Sequence, residues 1–139
     1  MKTLSYILLG SVMILGLQSC VQEENKNNVK NTIQNGNWFV FYFAEDNNVQ
    51  TTNYNGYSMN FNPNGTIAVT GNSNSFNGNY SITGNNDDTK LNLHFGPDDP
   101  WEELNEDWDV IELLDSKITL KHISGGNGGI DDLILQRSI

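Results

Sequence analysis

Few residues in this 139-residue chain could do covalent or metal chemistry: one cysteine (Cys20), two histidines (His94 and His122) and 17 acidic side chains. His94 and His122 fall on strands of opposite predicted facing, which argues against a zinc pair. The run Asp98 to Asp109 is rich in carboxylates but lacks the alternating spacing and glycine of an EF-hand loop. Gly125-Gly126-Asn127-Gly128-Gly129-Ile130-Asp131 approaches a calcium β-roll repeat, yet Ile130 fills the required acidic position and there is a single copy. Paired acids could in principle serve glycoside hydrolysis, but nothing separates two of them from a charged surface. No nucleophile–His–acid set or phosphate loop is legible. The expectation is a non-enzymatic protein with no cofactor and no metal residues.

The cysteine has a different meaning. Met1-Lys2-Thr3 is a short cationic start, Leu4 to Leu17 is mostly apolar, and Leu17-Gln18-Ser19-Cys20 follows. That order is the pattern of a signal peptide, too short and wrongly flanked for a spanning helix. Leu17 and Ser19 ahead of Cys20 resemble a bacterial lipobox, which implies cleavage after residue 19 and lipid on Cys20. One acyl chain contributes about 0.8 kcal/mol per buried CH₂ and binds marginally, so several chains on one residue would anchor stably. A lipidated Cys20 leaves no thiol for disulfides, metal or catalysis. Val21-Gln22-Glu23-Glu24 places an acidic pair close behind, resembling the surface-export signal of Bacteroidota lipoproteins. The expected address is the outer membrane, facing the periplasm or the cell surface, with the membrane as partner through Cys20.

Removing Met1 to Ser19 takes away Lys2, one of 7 basic residues, so the net charge moves from −10 to −11. Nucleic acid is excluded as a partner, since binding it requires phosphate neutralisation by Lys and Arg. The remaining length suits one domain with a single core.

Glycine and asparagine punctuate the elements that must position these residues. Val21 to Asn28 reads as a polar tether, and Val29 and Ile33, four apart, predict one or two helical turns over Asn28 to Asn35. Trp38-Phe39-Val40-Phe41-Tyr42-Phe43-Ala44 predicts the first strand. Further strands are expected at Tyr57 to Phe61, Thr66 to Thr70, Ser75 to Thr83 (with Gly78 a bend or bulge), Lys90 to Phe95, Trp108 onward, Lys117 to Ile123 and Ile130 to Arg137. Asp99-Pro100-Trp101-Glu102-Glu103 looks like a helix start, with Asp99 capping and Pro100 in the first turn. Eight short antiparallel strands fit an up-and-down barrel or a two-sheet sandwich.

Gly36-x-Trp38 after a short helical turn resembles the opening motif of the lipocalins. That resemblance implies a tryptophan across the closed end beneath a basic residue from the end of the barrel; the sole arginine, Arg137, occupies that place. Gly36 to Ile139 as a whole resembles the lipocalin-like domain of Bacteroidota lipoproteins, notably at Glu103 to Val110 and Ser124 to Gly129. The Thr-Asp-Tyr motif and disulfide of typical lipocalins are absent, so the resemblance implies a fold more than classical ligand transport. The predicted organisation is 1–19 signal peptide, 20–35 tether and helix, and 36–139 an all-β, eight-stranded antiparallel barrel.

Alternation then places Trp38 at the closed end, with Arg137 near enough for a cation–π contact. Most of the long loops and many acids (Glu45, Asp46, Asp98, Asp99, Glu102, Glu103, Glu106, Asp107, Asp131) fall at the other end. A rim of that charge would repel anions, so the expected ligand is neutral or cationic. Tyr42, Tyr57, Phe95, Trp108 and His122 are the candidate ligand-binding residues; in so small a barrel the favoured role of the same rings is to fill the core. If Trp38, Val40 and Tyr42 point inward, Phe39, Phe41 and Phe43 form an outer stripe, covered by a helix or used by an envelope partner. The reading is a small-molecule binding module; the alternative is an interaction or accessory protein with a filled barrel. A hollow lined by Tyr42, Tyr57 and Trp108 would favour the first, a filled interior with a bare stripe the second.

Overall fold

The computed structural model describes residues 18–85, 88–126 and 128–139, with side chains from residue 25 onward except that of Asn85. The expected signal segment, through Leu17, lies outside the described residues. Among the described residues, helix α1 spans Gln18–Ile33 and nine strands follow: β1 (Asn37–Glu45), β2 (Asn48–Val49), β3 (Tyr57–Phe61), β4 (Thr66–Gly71), β5 (Asn74–Asn85), β6 (Asp88–His94), β7 (Asp107–Leu114), β8 (Lys117–Ile123) and β9 (Ile130–Arg137). Helix α1 is longer than the sequence suggested. Gln, Glu and Lys between residues 22 and 30 are good helix formers and outweigh the asparagines that argued for a tether.

The sheet order is β1-β3-β4-β5-β6-β7-β8-β9, all antiparallel between chain neighbours, and β9 returns to pair with β1. Eight strands therefore close into an up-and-down barrel, and the two-residue β2 is a hairpin extension of β1. Closure removes the sheet edges that a sandwich would keep. Trp38 lies opposite Arg137 in the closing ladder.

One feature of that ladder changes the facing of half a strand. Val40 pairs with Leu135 and Tyr42 with Ile134, so Phe41 is an extra, bulged residue. Beyond it Phe43 is buried opposite Leu133, while Phe41 is 55% exposed. The expected inward Tyr42 and outward Phe43 are thus exchanged, because a bulge shifts the two-residue period by one.

Side chains fill the barrel from end to end. Ile33, Trp38, Phe61 and Met59 occupy the base, and Phe43, Leu91, Trp108, Leu120 and Leu133 lie above them, all within one buried cluster. Gly36, at φ +91°, takes the left-handed conformation at the end of the short turn after α1 and leads the chain into β1. The base is tied to α1 by Gln34 Nε2 donating to Tyr80 Oη (2.7 Å), which donates to the Asn62 carbonyl (2.8 Å).

Candidate functional site

The rim is closed by two 3-10 turns, Thr51–Tyr54 and Trp101–Leu104. β1 and β3 pair only at Asn37–Asn60 and Trp38–Met59, and the seam above is occupied by the first turn. Thr51 Oγ1 accepts from the Phe43 amide (2.9 Å), and the Gln50 amide donates to the Phe43 carbonyl (2.9 Å). The second turn belongs to the segment between β6 and β7. Asn105 pins its neck: Oδ1 accepts from the Phe95 amide (2.6 Å) and Nδ2 donates to the Gly96 carbonyl (2.7 Å). Trp108 Nε1 donates to the Leu104 carbonyl (3.1 Å), and Tyr54 Oη to the Pro100 carbonyl (2.7 Å). The expected short helical turn forms at Trp101–Leu104 with Glu102 and Glu103 in it, but Pro100, after a cis bond, stands at the N-cap and Asp99 makes no capping bond.

These ties seat Trp101 over the barrel, 5% exposed, as the hub of an aromatic cluster. Tyr57 (5.4 Å, 87°), Phe76 (5.2 Å, 71°), Tyr54 (5.2 Å, 84°) and Phe95 (5.0 Å, 53°) all pack against its ring. Edge-to-face pairs at such separations add to the area they bury. Gly78 makes room for Phe95: a Cβ there would lie 2.6 Å from Phe95 Cδ1 and 2.9 Å from the His94 carbonyl oxygen. Its pairing with Ile67 is regular, so close approach, not the expected bulge, is the reason for glycine.

Outside this hub lies a groove of about 480 Å³, lined by Tyr57, Phe76, Phe95 and Trp101, with Asn74, Asn77, Asp98 and Asp99 supplying polar groups. It is larger than the grooves lined by Val29 and Leu113, by Lys30 and Tyr80, and by Asn35 and Arg137. Its volume falls in the range of small-molecule sites, while its exposed lining is more polar than apolar, because Phe95 and Trp101 are almost wholly buried and Asn74, Asn77, Asp98 and Asp99 face the water.

The field there is negative. Burial first, then Glu45, Glu102, Asp99 and Asp131, holds the Glu103 carboxyl above its ordinary range. The Tyr54 hydroxyl is pushed up by burial and then by Glu103, Asp99 and Glu45. Asp131 is 8% exposed and accepts from the Asp46 amide through Oδ1 (3.3 Å).

The five residues singled out by sequence divide three ways. Tyr57 and Phe95 meet at Trp101. Trp108 and His122 form a separate pair (6.1 Å, 66°), with Trp108 fully buried against Phe43 (6.3 Å). Tyr42 faces outward and Trp108 is buried, so the hollow between Tyr42, Tyr57 and Trp108 that would have favoured binding inside the barrel is not formed. His122 sits between two carboxylates, Nε2 3.4 Å from Glu106 Oε2 and Nδ1 3.3 Å from Asp107 Oδ1. A neutral ring donates to one of them and an imidazolium to both; one ring nitrogen and one oxygen of each carboxylate also lie within 4.8 Å of one another. Tyr54 and Phe76 were missed as site residues. Their signal was a lone ring in the polar loop Glu45 to Gly56, and an inward ring at the rim end of β5.

At the base, Arg137 stands where the resemblance put it but makes other contacts. Its stem lies on Gly36, where a Cβ would come 3.0 Å from Cδ, and its Nη1 reaches the Asn35 carbonyl at 3.5 Å. No cation–π contact with Trp38 is found among the described residues. A guanidinium near a helix end finds an unpaired carbonyl a better acceptor than a ring already buried. Trp38 Nε1 has no partner among the described residues.

No family model matches the chain, and no curated protein does. Among solved structures it is similar to a lipocalin-like protein from Bacteroides uniformis ATCC 8492: 18% identity, 76% of this chain and 99% of that chain covered, TM-score 0.50. An uncharacterised protein from Bacteroides eggerthii DSM 20697 also aligns, at 17% identity over 74% of this chain and 98% of that chain, TM-score 0.47. With its closed eight-stranded up-and-down topology, and with the Bacteroides uniformis structure overlaying nearly its whole length on it, the chain has the lipocalin-like fold.

Proposed function

We propose that this protein is a lipid-anchored envelope protein that binds a small neutral or cationic molecule at the rim of its barrel, outside a filled interior. The observation carrying this reading is the groove of about 480 Å³ over Tyr57, Phe76, Phe95 and Trp101. Interior binding would require parting the buried rings of Phe43 and Trp108, so the site moves from the axis to the rim. Cys20 lies near the start of α1, and the C-terminal end of that helix packs on the barrel base. An acylated Cys20 would hold that end toward the membrane and turn the groove away from it. No catalytic step is assigned.

Native mass spectrometry of the protein extracted from its own envelope tests both halves. The expected spectrum has a covalent acyl mass lost in Cys20→Ser and a non-covalent small-molecule adduct lost in Phe76→Ala. An unmodified Cys20 would overturn the anchor, and a lipidated protein without adduct would overturn the ligand.

Phe41, 55% exposed, favours a second reading in which the outer face of β1 docks another envelope protein. The filled interior agrees with that alternative. The bulge, however, takes Phe43 out of the stripe and leaves Phe39 and Tyr42 half-buried, so the patch is smaller than the sequence suggested. Phe41→Asp should abolish cross-linking to such a partner and leave groove binding intact.

A further inference from the structure

We infer that the rim groove selects organic cations, an ammonium group carried on an apolar or aromatic body, over neutral and anionic molecules of the same shape. The inference rests on the groove being the binding site, and it names what that site prefers.

The apolar half of the recognition comes from the rings. Trp101 is too buried to be the main contact surface, and it fixes Tyr57 and Phe76 nearly perpendicular to itself. Those two rings remain part-exposed in the groove wall. Aromatic faces attract ammonium groups through their quadrupole, and they pack equally well against an uncharged body. The rings therefore favour binding but do not alone choose the charge.

The choice comes from the distribution of charged groups. Asp98 and Asp99 line the groove and are exposed. Asp99, Glu45, Glu102 and Asp131 together act on Glu103 beside it, so the negative potential extends behind the lining. None of the six described basic residues lines this groove. Lys90 is paired with Asp107 (3.3 Å) and Asp109 (2.7 Å), Lys117 with Glu112 (2.7 Å) and Lys121 with Asp132 (3.7 Å). Lys26 and Lys30 line a different groove against β5, and Arg137 lines one at the base. An anion entering the rim groove would meet carboxylates with no counter-charge, and an ammonium would supply the missing one. Because the groove is open to water, screening limits this preference to about tenfold.

Three molecules of one shape test it: benzylamine, benzyl alcohol and benzoate, titrated at neutral pH into the full chain in detergent with ¹⁵N-indole-labelled tryptophan. The chain has 3 tryptophans, one in each region of interest: Trp101 at the groove, Trp108 in the barrel and Trp38 at the base. Benzylamine should shift the Trp101 indole signal with about tenfold tighter affinity than benzyl alcohol, and benzoate should not bind. Asp98→Asn with Asp99→Asn should narrow the difference without weakening benzyl alcohol, and added salt should weaken benzylamine alone. Equal binding of amine and alcohol at Trp101 overturns the charge preference and leaves the groove standing. Shifts confined to Trp108 or Trp38, or none from any of the three, overturn the groove reading as well.

Discussion

Tyr42 and Phe43 are one peptide apart and face opposite sides of the barrel wall. The burial of Phe43 against Tyr54 and Trp108 makes it one of the larger contributors to the core. Phe43→Ala should cost about 3–5 kcal/mol in denaturant unfolding, and Tyr42→Ala less than about 1 kcal/mol. Without the bulge at Phe41 the two values would change places. That bulge could not be read from Trp38 to Ala44, because a strand apolar on both faces carries no phase by which to tell in from out. Where alternation was clean, as at Leu91, Leu93 and Phe95 or Ile118 and Leu120, the facing was legible and the burial agrees. Glu103 gives a second test at this scale. Its folded carboxyl titrates above its unfolded value, so the native state holds the proton longer and stability falls as pH rises through that window. Glu103→Gln should therefore raise the melting temperature at pH 7 by a small amount, screening keeping it under about 1 kcal/mol. At about pH 3, well below the ordinary glutamate range, the carboxyl is protonated in both states and variant and parent should melt together.

Loops, more than strands, decide what the barrel can bind. Asn105 fastens both sides of the segment that carries Trp101, and Asn105→Ala removes two hydrogen bonds of 2.6 and 2.7 Å. The expected loss is about 1–3 kcal/mol in stability, with Trp101 becoming open to acrylamide quenching. Gly78→Ala tests the same region from the wall: the added methyl must displace the Phe95 ring, costing about 1–3 kcal/mol and disturbing the groove. Neither tie was visible in the sequence. The segment Gly96 to Asp107 reads as acidic and polar, and its single tryptophan looks like a helix residue until a hydrogen-bonded neck folds it over the barrel. The first strand, the Asn62 to Gly65 and Asp115-Ser116 turns and the eight-strand count were readable, because each is written locally in turn residues and period. Contacts such as Tyr54 to Pro100, 46 residues apart, are not local and leave no such trace.

At the scale of the molecule, charge and packing are arranged along one axis. The base carries α1, Trp38 and Arg137; the rim carries Glu45, Asp99, Glu102, Glu103 and Asp131 around a plug of aromatic rings. The closing ladder of β1 with β9 holds the two ends in one body, and a filled interior confines recognition to the outside of the plug. A crystal structure of the protein taken from its own envelope tests that claim most directly. It should show Phe43 and Trp108 still in contact and ligand density against Tyr57 and Phe76, beside Asp98 and Asp99. Ligand density on the barrel axis, with the Phe43 and Trp108 rings parted around it, would contradict the account.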